Sequence, residues 1–135
     1  MIQLQTDPID VLAVEQSVYD PACGAHIVFV GRTRDHFEGK KVLELHYEAY
    51  ESMALKEMNQ IAHDLKARYE HCRVSIVHRL GIVDVGEASV VIAVSTPHRK
   101  DCYEASRYAI DTLKKTVTIW KKEICENKSH WKANQ

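Results

Sequence analysis

The chain has no apolar run approaching the roughly 18 residues needed to cross a bilayer as a helix, so no helical membrane span is expected. The segment from Met1 to Pro8 has neither a basic stretch nor an apolar one, and no export signal is expected. Excess charge is missing too. With 18 basic and 19 acidic residues the net charge is −1, which argues against a nucleic-acid binder acting through bulk electrostatics. Any basic site must be local. Cysteine is sparse and dispersed: Cys23, Cys72, Cys102 and Cys125 form no CxxC and have no histidine at zinc-finger spacing. Without an export signal they read as reduced thiols in a cytoplasmic protein. The eight histidines form neither HxxxH nor HxH, so no metal or other cofactor is expected. Internal repeats, low-complexity segments and linkers are also lacking. A chain of 135 residues, 45% apolar, suffices for one core, so residues 1–135 are expected to form a single domain.

Helical and strand-like periods both occur. Asp7-Pro8 predicts a cap and first helical position for a short helix over about Ile9 to Val18. Gly24 to Arg32, rich in Val, Ile and Phe, reads as a buried strand, and Thr33 to Lys40 as a polar loop placed where functional loops occur. Val42 to Glu48 alternates, with Leu43, Leu45 and Tyr47 on one face. Glu51 to Glu70 carries Ala54, Met58, Ile61, Ala62, Leu65 and Tyr69 at helical spacing. Strands are expected over Arg73–Arg79 and Ala88–Ser95, with a short one inside the glycine-bounded segment Gly81 to Glu87. A helix over Arg99–Thr116 should bury Cys102, Ala105, Ala109, Leu113 and Thr116, and a strand should follow over Ile119–Cys125. The tail from Asn127 to Gln135 is polar apart from Trp131. The predicted order, α-β-β-α-β-(β)-β-α-β, points to an α+β sandwich with helices packed on a mainly antiparallel sheet.

The chemistry-bearing residues gather in the last third. In a strand Lys121 and Glu123 share one face and Trp120 and Lys122 the other, so burial of Trp120 would present Lys121 to a cleft with Glu123 beside it. Lys114, seven residues earlier, could face the same cleft. A lysine that is partly desolvated or close to another cation has a lowered pKa and can act as base, acid or nucleophile. The alternative is that Lys114, Lys115, Lys121 and Lys122 are a solvated basic face at a helix C-terminus. His98-Arg99 stands where a strand passes into a helix, where free N–H groups favour phosphate or carboxylate; equally, His98 could be a capping-region residue and Arg99 a surface charge. His78-Arg79 has the same look with no helix behind it, which suits a structural role. Arg32 and Arg34 flank the polar loop. Tyr47 to Tyr50 with Met53 suits packing, or the lining of a groove. Cys102 lies near a helix N-terminus, which can lower a thiol pKa, yet also on the apolar face, which predicts an inert side chain.

Taken in order, these pieces resemble the catalytic (large) subunit family of molybdopterin synthase. They are Gly24-Ala25, Phe29 to Arg34, Leu45 to Tyr50 with Met53-Ala54, His78 to Gly81, Val85 to Glu87, His98-Arg99, Asp111 to Lys114 and Ile119 to Glu123. The resemblance runs from about Gly24 to Trp131. It implies an α/β hammerhead-type fold and an enzyme that converts cyclic pyranopterin monophosphate (precursor Z) into molybdopterin by inserting two sulfurs as a dithiolene. It also implies a small ubiquitin-like partner subunit carrying the sulfur as a C-terminal Gly-Gly thiocarboxylate, and a homodimer of large subunits at the centre of a heterotetramer. By position, Lys114 and Lys121 match the family's active-site lysines. Arg34, His98 and Arg99 match its anion-binding residues, and Glu123 the acidic residue beside the second lysine.

Two departures stand out. Thr118 occupies a position where the family usually has proline, which predicts a less rigid turn, and some relatives carry a longer basic tail after Trp131. Two other readings make separate predictions. A persulfide sulfurtransferase on Cys102 would lose turnover in Cys102→Ala. A non-catalytic scaffold that binds an acidic tail through the Lys114 to Lys122 patch would keep its partner in Lys121→Ala.

Overall fold

In a computed structural model, which describes residues 1–126 and 129–133, the chain runs through β1 (Ile2–Gln5), α1 (Val11–Gln16), β2 (Ala25–Arg32), β3 (His36–Phe37), β4 (Lys40–Ala49) and α2 (Glu51–Arg68). It continues through β5 (Arg73–Arg79), β6 (Gly81–Asp84), β7 (Ala88–Thr96), α3 (Arg99–Thr116), β8 (Ile119–Cys125) and β9 (Ser129–Ala133). The strands form two sheets. One has the order β1-β5-β7-β2; in the other β3, β4, β8 and β9 lie side by side and β6 pairs with β4. All pairings are antiparallel except β1 with β5.

The first sheet is covered on both faces, which explains why β7 is buried along its whole length and reads as a continuous apolar run rather than an alternation. On one face α2 buries Ala54, Met58, Ile61, Ala62 and Leu65, and α3 buries Cys102, Ala105, Ala109 and Leu113, against Val74, Ile76, Ile92 and Val94. On the other, Val14 and Val18 from the α1 region pack on Val77, Val91 and Ala93. The α+β sandwich of helices on mainly antiparallel sheet is therefore present, built from two sheets rather than one.

Several expectations need correction. The first helix starts at Val11, because the Asp10 carboxylate accepts the Ala13 N–H at 3.1 Å and caps it there. Asp7 and Pro8 belong instead to a loop whose carbonyls accept from the Gln5 side chain at 3.0 and 3.1 Å. The segment Ile2–Gln5 is a strand that the sequence reading did not expect. Within the polar loop, β3 forms a hairpin with β4 across Glu38-Gly39, whose φ angles of 49° and 77° give the I′ turn that matches strand twist. Leu43 is exposed while Leu45 and Tyr47 are buried, because the β4–β8 register shifts between Val42 and Glu44 and turns Leu43 outward. Thr116 is exposed and its hydroxyl donates back to the Thr112 carbonyl at 2.9 Å. Part of the tail pairs with β8 as β9; residues 127–128 and 134–135 of the polar-tail expectation lie outside the described residues. Thr118, expected to loosen its turn, is tied to Glu57 of α2 by two hydrogen bonds.

Candidate active site

A cleft of about 250 Å³ opens between β2, β3, β4, β5, β7, the last turn of α3 and β8. The strand β8 meets this cleft with its inner face. Ile119, Glu123 and Cys125 are buried on that face and Lys121 is half-buried among them, while Trp120 lies on the outer face edge-on to Tyr50 at 5.4 Å. Burial of Trp120 is therefore not what presents Lys121. The strand's own alternation does so, held by pairing Tyr47 with Lys121 and Leu45 with Glu123 across β4.

Lys114 enters the same cleft from α3. Its neighbour Leu113 is fully buried, which fixes the helix rotation and leaves Lys114 half-buried at the cleft wall. Burial, then the Lys121 charge, then the Arg34 charge hold the Lys114 amine below the ordinary lysine range. Arg34 lines the cleft from the exposed segment between β2 and β3. Gly31 sits at the β2 bulge just before it. A Cβ there would come within 2.8 Å of the Val90 side chain, so the close approach of β2 to β7 that aims this segment at the cleft needs glycine. Glu123, 2% exposed, adds a buried carboxylate to the cleft. Arg34, Lys114, Lys121 and Glu123 thus converge. The four lysines do not act as one face: Lys115 is exposed in the last turn of α3, and Lys122 lies opposite His46 on the outer face of the second sheet.

His98 and Arg99 lie elsewhere. His98 is the N-cap of α3, extended at φ −127° with no capping bond from its side chain, and both residues are exposed. At about 1.5 Å per residue, Arg99 stands roughly 22 Å along α3 from Lys114. Within one chain they do not join the cleft.

Two cleft residues were read from the sequence as packing or structural. Tyr47, buried, and His78, fully buried, meet edge-on at 5.0 Å in the cleft floor. The His78 Nδ1 lies 2.8 Å from the Arg79 carbonyl, which accepts its proton and fixes the tautomer. Burial pushes the His78 imidazole down to about 4 despite that bond, so it is neutral at pH 7. Burial also pushes the Tyr47 phenol up, with the Glu123 charge adding to it and the Ser89 side chain opposing. Alternation along β4 pointed Tyr47 inward; nothing in the sequence placed His78 at a cleft. Arg79 is structural, bridging Glu87 at 3.1 Å and the Thr6 carbonyl at 3.2 Å. Cys102 is buried, its Sγ 3.4 Å from the Val94 carbonyl, and burial raises its pKa, so it has neither the access nor the thiolate character of a nucleophile. The described helices include none long and apolar enough to cross a membrane.

The family model described as MoaE protein matches residues 4–116. The molybdopterin synthase catalytic subunit of Drosophila melanogaster is 55% identical over 99% of this chain, which spans 37% of that relative's length. The subunit of the same name from Taeniopygia guttata is 48% identical over 99% of this chain and 87% of its own. Among solved structures, the crystal structure of molybdopterin synthase from Staphylococcus aureus superposes with a TM-score of 0.92 at 40% identity, covering 96% of this chain and 94% of that one. The family model stops short of β8, but the relatives and the solved structure extend across it. With the family model, the relatives and the fold in agreement, the chain belongs to the MoaE protein family.

Proposed function

We propose that this chain is the catalytic subunit of a molybdopterin synthase. It would transfer sulfur from the C-terminal thiocarboxylate of a small ubiquitin-like subunit to cyclic pyranopterin monophosphate, forming the dithiolene. The observation that carries this reading is the convergence of Lys114, Lys121 and Arg34 on one half-desolvated cleft, with the Lys114 amine held below its ordinary range by burial and by the other two cations. The relatives named molybdopterin synthase catalytic subunit support this reading, and the cleft offers chemistry suited to it.

Both reactants are anions, a cyclic phosphate and a thiocarboxylate, and their close approach is unfavourable until cations neutralise them. Arg34 is placed to meet the phosphate. Once the thiocarboxylate sulfur has bonded to the pterin, water attacks the acyl carbon of that thioester and Lys121 stabilises the oxyanion; its collapse breaks the C–S bond, leaving the sulfur on the pterin and a carboxylate on the partner's tail. Lys114, whose amine burial and the Lys121 and Arg34 charges hold below the ordinary lysine range, is the proton carrier between donor and leaving group. Glu123, beside Lys121 on the same strand face, orients that ammonium. The partner's Gly-Gly tail would enter extended, since glycines allow backbone to approach the lysines closely.

The cleft of one copy, about 250 Å³, is below the ~300–1,000 Å³ usual for small-molecule sites. His98 and Arg99, remote from the cleft in their own chain, would reach the substrate phosphate only from a second copy, which fits a homodimer within a heterotetramer.

The test is to mix the protein with thiocarboxylated partner and precursor Z and assay the dithiolene product for wild type and Lys121→Ala. Product from wild type with a large loss in the variant supports the reading. No product with a competent partner rejects it and returns the cations to the acidic-tail scaffold.

A further inference from the structure

Both cleft lysines hang from one short turn. Lys114 precedes Thr118 by four residues and Lys121 follows it by three, so the direction in which β8 leaves α3 sets the distance between their ammonium groups. The turn is tight. Val117 N–H closes α3 on the Leu113 carbonyl at 3.1 Å, and Ile119 N–H donates to the Val117 carbonyl at 2.9 Å, the pattern of a γ-turn centred on Thr118. A turn of this kind gives its central N–H no acceptor of its own, and with one internal bond it has little to resist bending.

Here the missing acceptor comes from another helix. The Thr118 N–H donates to Glu57 Oε1 at 2.9 Å, and the Thr118 hydroxyl donates to the same oxygen at 2.6 Å. Glu57 is 61 residues away in sequence, on α2, where it is half-buried next to the fully buried Met58. Met58 anchors that part of the helix in the core, so the carboxylate is a fixed post rather than a loose surface group. Hydrogen bonds to an ionised acceptor are shorter and stronger than neutral ones, and two from one residue restrain direction as well as distance.

We propose that Glu57 and Thr118 are positioning residues: the α2 carboxylate fixes the turn between α3 and β8 and thereby the spacing of Lys114 and Lys121. Neither residue touches the cleft. Their action passes through the lysines, and where geometry is this demanding a misplacement of about 1 Å can cost about 10²-fold in rate. The titratable and charged groups lining the cleft with Lys114 are Lys121 and Glu123 from β8, Arg32 at the end of β2, Arg34 from the segment after it, His36 from β3, Tyr47 from β4 and His78 from β5. Only the first two move with the turn. The activity part of the proposal rests on the sulfur-transfer reading; the spacing part does not.

The deciding measurement is an NMR titration of Lys114 after reductive methylation with ¹³C-formaldehyde, its signal assigned by loss in Lys114→Arg. Glu57→Ala removes both bonds to the turn and Thr118→Val the shorter of the two, which loosens it and lets the like charges separate. The Lys114 midpoint should then rise by about half a pH unit or more towards the ordinary lysine value. Thr118→Ser keeps both donors and should titrate as wild type. Thr118→Val keeps the N–H bond and removes only the hydroxyl, so it carries the test if Glu57→Ala does not fold. An unchanged Lys114 midpoint in a folded Thr118→Val or Glu57→Ala protein, with only the melting temperature lowered, would show a merely structural clamp and overturn the proposal. In the dithiolene assay the same variants should lose about tenfold in kcat with KM unchanged. A shifted midpoint in a protein whose wild type makes no dithiolene would sink the sulfur-transfer reading and leave the positioning pair standing.

Discussion

The two ends of α3 each offer a cation and a histidine, and they differ in water. At the N-terminal end His98 and Arg99 are exposed, with the helix N–H groups behind them. At the C-terminal end Lys114 is half-buried against a cleft whose floor holds the fully buried His78. The same residue types therefore do different work. In water a cation attracts an anion weakly; partly desolvated beside Lys121 and Arg34, Lys114 binds its proton less firmly than an exposed lysine does. On the proposed reading the exposed end would capture a phosphate and the half-buried end would carry the proton transfer.

The largest expected contrast is between Lys114→Ala and Arg99→Ala. The lysine variant should lose about 10²–10⁴-fold in the rate of sulfur transfer at saturating substrate. Circular dichroism and a melting curve at pH 7 should show the Lys114→Ala protein folded, so that the lost rate is read from a native chain. The arginine variant should raise KM by about tenfold and leave kcat nearly intact, as expected for a solvated anion contact.

The next effect, in stability, comes from His78. The folded-state pKa of His78, about 4, lies below its unfolded value of 6.5, so between these pH values the unfolded chain binds more protons. Stability from this group is complete above about pH 6.5 and is lost as pH falls towards 4; from pH 7 to 5 the loss is about 2 kcal/mol. Urea midpoints at the two pH values should show that slope in wild type and a shallower one in His78→Gln.

The smallest effect concerns Cys102, between the two ends. Cys102→Ala should leave turnover unchanged and lower stability by about 1 kcal/mol, through a small cavity. Lost turnover in a folded Cys102→Ala protein would revive the persulfide reading.

What was legible in the sequence follows from where each signal is generated. The helices α2 and α3 and the strands β2, β5 and β7 carry their period or apolar run within themselves, and the expected spans fall close to the observed ones. The strands β1, β3 and β9 have too few residues for a period and exist because a partner strand is there: β1 pairs with residues more than seventy positions away. The outward turn of Leu43 depends on a bulge, which alternation alone cannot foresee. At the site, Lys121 and Glu123 share the face that alternation predicts, and Lys114 joins them. The roughly 22 Å between Arg99 and Lys114 was implicit in the helix length but hidden by treating the cations as one set. The places of His78 and Glu57 were invisible, since both arise when distant elements pack.

The most direct test of the account is single-turnover dithiolene formation by Lys114→Ala and Arg99→Ala at saturating precursor Z and thiocarboxylated partner. The account predicts a rate at least about 10²-fold below wild type for Lys114→Ala and a near-normal rate for Arg99→Ala. A near-normal rate for Lys114→Ala alongside an inactive Arg99→Ala would contradict it and move the chemistry to the exposed end of α3.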